Sequence, residues 1–81
     1  MATDIRNFVI KDTKGRPLAL QRWFETFHFW QVLEVPSGEW DVAMTDDRDS
    51  FKVAVAEGRV QEIDETTAAL VGLDLIGGAM R

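Results

Sequence analysis

With no cysteine in the chain, neither a disulfide nor a thiolate metal ligand can hold this protein together, so its fold has to rest on the burial of its own apolar side chains. That condition is demanding, because 81 residues make one domain of a size at which a core is only just large enough. The means are present. Hydrophobic residues make up 46% of the chain, eight of the residues are Trp or Phe, and each large apolar side chain contributes roughly 1.5–3 kcal/mol when fully buried. A charged fraction of 28% also belongs to a folded domain rather than a disordered one. Self-association is a common remedy for marginal stability in this size class.

Turn-forming residues punctuate the chain at short intervals, and most are of the hairpin kind. Residues 5–10 read as a strand, 11–15 as a turn built on Asp12 and Gly15, and 16–20 as a returning strand with Pro17 at its start. Residues 17–27 admit two readings. Leu20, Trp23, Phe24, Phe27 and Trp30 recur at helical spacing, whereas the aromatic richness of the same stretch favours a strand. Residues 26–35 read as strand, 36–38 as a turn, and 40–45 as an alternating strand. Residues 46–50 form a polar loop; Phe51, Val53 and Val55 then alternate as a strand, joined through Glu57 and Gly58 to a partner around 60–63. Acids and hydroxyls at Glu62, Asp64, Glu65, Thr66 and Thr67 precede an apolar run, the signature of a helix start near residue 64, and Gly77 and Gly78 end that helix near 76. The expected architecture is α+β: an antiparallel sheet of about four to six strands with one or two helices.

Catalytic machinery is not indicated. The single histidine, His28, sits among phenylalanines with no partner at a spacing that would orient it for general-base or ligand work, and it reads as a structural residue. Glu25 and His28 match the Glu-x-x-His piece of di-iron bundles, but the second copy and the further glutamates are missing. Ser37 and Ser50 lie beside turns, not in a nucleophile elbow. Asp46, Asp47 and Asp49 resemble part of a calcium loop, yet Arg48 or Phe51 occupies a ligand position in either register. Gly77 and Gly78 are not followed by a helix that could receive a phosphate. No catalytic residue, metal or cofactor is therefore expected.

Charge narrows the partners. The net charge of −5 lies wholly in residues 41–81, which repels phosphates and anionic lipid, so direct nucleic-acid or membrane binding is disfavoured. No stretch approaches the ~20 apolar residues of a membrane span, the first residues carry no apolar signal region, and the cytoplasm is the expected compartment. Two features point to binding another protein. One is the aromatic cluster, with Trp23, Phe24, Trp30 and Trp40 as candidate anchors. The other is the acidic concentration from residue 41 to 65, with Asp46, Asp47 and Asp49 as candidate contacts for a basic partner surface. The chain thus reads as a non-enzymatic adaptor or inhibitor, resembling in size and charge the small stand-alone proteins of phages and mobile elements. A homodimer or larger assembly, formed through residues 66–80 or an open sheet edge, is the first alternative. A small-molecule binder with an aromatic pocket around His28 is the second.

Overall fold

The computed structural model describes residues 4–79. Its elements are strands β1 (Ile5–Lys11), β2 (Pro17–Phe24), β3 (Phe29–Leu33) and β4 (Trp40–Val42), helix α1 (Thr45–Ala56), strand β5 (Val60–Ile63) and helix α2 (Glu65–Ala79). The strands form one antiparallel sheet in the order β4-β3-β2-β1-β5, an α+β architecture. β4 and β5 are the two edges. The chain therefore crosses the sheet between them, and α1 makes that crossing.

Successive strand residues point to opposite faces, so the register sorts the core into two layers. Val9 and Leu20 pair on one face, where they pack with Leu33 against Val71 and Leu75 of α2. Ile10 and Ala19 pair on the other, where Ile10 packs with Phe51 and Ala54 of α1 and with Phe8, Trp30 and Val60. One helix thus covers each face. Strands lie about 4.8 Å apart and a helix is about 10 Å wide, so a single helix covers about half of a five-stranded face. α2 packs mainly on β1 and β2, and α1 on β1 and β5, which leaves the β3–β4 half the less covered part of both faces.

This layering explains why residues 17–27 are ambiguous in sequence. A central strand apolar on both faces loses its period-two signal, and an accidental helical stripe emerges. In the structure the helical reading of 17–27 gives way to strand β2 and the turn at residues 25–28, where His28 adopts a left-handed φ of 54° and its N–H donates to the Phe24 carbonyl.

The second helix lies elsewhere. Residues 46–55, read above as a loop and a strand, form α1. Asp47 Oδ2 accepts from the Met44 N–H, Asp46 and Asp47 place negative charge in the first turn, and Gly58 in a left-handed conformation ends the helix. Phe51 and Ala54, three apart, face the sheet, while Val53 and Val55 are exposed; their alternation is that of β-branched residues on a helix exterior. Helix α2 begins as expected, with Asp64 Oδ1 accepting from the Thr67 N–H. It runs on through Gly77 and Gly78 instead of stopping near 76. Neither glycine has the positive φ that ends a helix, in contrast to Gly15, Gly38 and Gly58.

Candidate functional site

The seven residues singled out as partner contacts do not converge on one surface. Phe24 and Trp40 lie on the α2 face. Phe24 stacks on its cross-strand partner Phe29 at 4.6 Å, and Trp40 packs beside the Val9–Leu20–Leu33 cluster. Trp23 and Trp30 are paired across β2 and β3 on the α1 face, with ring centroids 5.2 Å apart. Trp30 also meets Phe8 and Phe51, which makes it a core residue first. Trp23 donates its indole N–H to Glu25 and meets His28 edge-on. All four are half-buried. Asp46 and Asp49 are exposed on the first turns of α1, and Asp47 is half-buried by its bond to Met44.

The aromatic that stands fully in solvent is Phe27, 74% exposed at the tip of the β2–β3 hairpin. His28, beside it, is exposed too.

A second surface lies within residues 66–80, the stretch that the sequence offers for self-association. Helix α2 turns Ala68, Val71, Gly72 and Leu75 inward, yet Leu70 and Leu73 on its outer side are 64% and 69% exposed. Glu65 and Asp74 are its only charged residues. An amphipathic helix shows polar residues outward, and a helix apolar all round is one with protein on all sides. That signal was legible: from 68 to 78 every position but Asp74 is apolar or glycine.

Between α2 and the β2–β3–β4 side of the sheet lies a cleft of about 280 Å³. Its floor carries Leu20, Leu33 and Arg22, and its walls carry Trp40 on one side with Leu73 and Ile76 on the other. The guanidinium of Arg22 lies 4.0 Å from the Trp40 ring centroid and 5.1 Å from that of Phe24, and donates from both Nε and Nη2 to Gln31 Oε1. Burial lowers its pKa from the ordinary arginine value. Arg48 repeats the arrangement on the α1 face: it lies 4.0 Å from the Trp30 centroid, donates to Gln21 Oε1, and has its pKa lowered by burial.

The charged residues at the other sheet edge are engaged with one another. Arg6 pairs with Glu62 at 2.7 Å, raising the arginine's pKa and lowering the carboxylate's, chiefly through the hydrogen bond. Asp64 is held low by its bonds to Thr67, and Asp12 by its bonds to the backbone of Arg16 and Lys14 in the β1–β2 turn. Among the described residues, no group of three or more His, Cys, Asp or Glu side chains is placed to hold a metal ion, and no helix is long and apolar enough to cross a membrane. Comparison with protein-family models, with curated proteins and with solved structures finds no match to this chain.

Proposed function

We propose that this chain is a non-enzymatic protein-interaction module of the cytoplasm, an adaptor or inhibitor that docks on a larger protein through the outer side of α2 and the less covered β3–β4 half of the sheet. The observation that carries the reading is the exposure of Leu70 and Leu73 on a helix whose only exposed polar residues are Glu65, Thr66, Thr67 and Asp74. Leaving two leucines in water forgoes roughly 1.5–3 kcal/mol each, a loss that a partner covering them recovers. Trp40 and Phe24, half-buried on the same face, extend the apolar surface toward the sheet edge. Asp46 and Asp49 lie outside this patch on α1 and Asp74 lies at it, one turn beyond Leu70; they favour a partner with basic groups and speed encounter with it.

Affinity capture with the wild-type chain and with the Leu70→Glu/Leu73→Glu variant tests this reading. Both substituted side chains already face solvent, so the variant keeps its fold and its circular-dichroism spectrum. The expected result is one dominant partner held by the wild type and lost by the variant. A partner held equally by both would reject α2 as the docking surface.

One feature of α2 favours self-association as the second reading. Leu70 and Leu73 straddle the middle of the helix, so two antiparallel copies set the Leu70 of each against the Leu73 of the other, as a two-fold interface requires. Sedimentation equilibrium distinguishes the two readings: a 9.2 kDa species at all concentrations removes the dimer, and a doubling of mass abolished by the same variant establishes it.

A further inference from the structure

The cleft beneath α2 holds two polar groups whose hydrogen-bonding capacity the fold leaves partly unused. Arg22 and Asn7 are directly opposed across β2 and β1, on the face that α2 covers, and both line the cleft. Among the described residues the guanidinium has no carboxylate within 4.0 Å, the ion pairs being Arg6 with Glu62 and Arg59 with Glu57. Its one hydrogen-bond acceptor is the neutral Gln31 amide, which takes Nε and Nη2, while Nη1 makes no hydrogen bond among the described residues. The Asn7 side chain, in a residue only 9% exposed, likewise makes none. Among the described residues no side-chain polar atom is both fully buried and unpaired, so the unused donors of Arg22 and Asn7 remain accessible at the cleft, where the two residues are neighbours on a floor shared with Leu20 and Leu33.

We propose that this cleft binds a small monocarboxylate with an apolar body, its carboxylate held by Arg22 and Asn7 and its body lying between Trp40 and the Leu73–Ile76 side of α2. Three features select that chemistry. Nη1 has no acceptor among the described residues, the guanidinium is held by Trp40, Phe24 and Gln31, and its fork matches the two oxygens of a carboxylate. The walls are aliphatic and aromatic, and about 280 Å³ is just under the roughly 300–1,000 Å³ of ordinary ligand pockets, so the body is short. Glu65, from the first turn of α2, also lines the cleft and places a negative charge there, which selects against phosphates and dicarboxylates. The site shares Leu73 and Trp40 with the proposed docking face, but its reading rests on Arg22 and Asn7 and not on a protein partner.

The test titrates octanoate and indole-3-acetate, each beside its uncharged amide, into the full chain, following backbone and side-chain amide resonances and tryptophan emission. The acids are expected to bind at least about tenfold more tightly than the amides, with shifts at Asn7, Arg22 and Trp40. Arg22→Gln is expected to abolish that preference. Glu65→Gln, at an exposed position that leaves the fold intact, is expected to tighten binding of both acids by about threefold or more. Equal binding of acid and amide, no binding of either acid below about 10 mM, or unchanged acid affinity in Glu65→Gln would overturn the proposal. Binding of a glutamate-containing apolar peptide without binding of either free acid would assign the cleft to a protein partner and would overturn it too.

Discussion

Gln21 shows how one polar side chain fixes the relation between layers. It is 2% exposed, donates to the Asp47 carbonyl in the first turns of α1 and accepts from Arg48, which stacks on Trp30 and Phe51. It thus pins the start of α1 to the middle of the sheet at a place where apolar packing alone would allow sliding. Removing one member leaves the others desolvated and unpaired, at about 1–3 kcal/mol. Gln21→Leu is therefore expected to lose that much in urea denaturation, whereas Gln21→Leu with Arg48→Leu recovers most of it, because both partners then become apolar. Equal losses in the single and double variants would show that the bond between them carries no energy.

Among the elements, α2 tolerates glycine at a position where the helix approaches the sheet closely. A Cβ on Gly72 would lie 3.5 Å from Leu33 and 3.6 Å from Leu20, ordinary contact distances, so alanine fits there and relieves the entropic penalty of a helical glycine. Gly72→Ala is expected to raise stability by about 0.5–1 kcal/mol. Gly38 behaves in the opposite way. Its φ of +79° lies in the left-handed region and a Cβ would come within 3.1 Å of Ile76, so Gly38→Ala is expected to cost roughly 1–2 kcal/mol. Thermal melting of the two variants reads both signs. The same elements show what was legible in the sequence. Although most of β2 stays undecided between helix and strand, strand β1, the turn that follows it and the start of α2 follow from Asp12, Gly15 and Asp64, whose side chains or backbones act locally. Helix α1 did not, because Val53 and Val55 carry β-propensity and only contact with Ile10 and Trp30 decides that Phe51 and Ala54 face the sheet. The candidate cleft was illegible for a similar reason: Asn7 and Arg22 are fifteen positions apart in sequence and meet only through the β1–β2 register.

The acid-sensitive contacts of the whole molecule gather at its β5 side. β5 is a four-residue edge strand paired only with β1, and it leads through Asp64 directly into α2, the helix that carries the proposed docking face. Two of the three carboxylates whose pKa is lowered by folding sit at this junction: Glu62, bonded to Arg6 across the strands, and Asp64, bonded to Thr67 at the helix start. The third, Asp12, holds the β1–β2 turn. Because each binds its proton less readily in the folded chain, the unfolded chain takes up protons first as pH falls. Their contribution is complete above the ordinary values of 4.5 for Glu and 3.8 for Asp, and is lost as pH drops through the lower folded values. Stability is therefore expected to be level from neutral pH to about 5 and to fall below about 4. The loss should begin locally, since opening β5 and α2 leaves the β1–β4 hairpins paired. Amide spectra recorded down this pH range are expected to lose native dispersion at residues 60–79 before residues 5–33. In Glu62→Gln/Asp64→Asn, the acid fall should be shallower and neutral stability lower. A single transition common to all residues would instead mean that the sheet and α2 form one cooperative unit, and that the docking face cannot be released without unfolding the core.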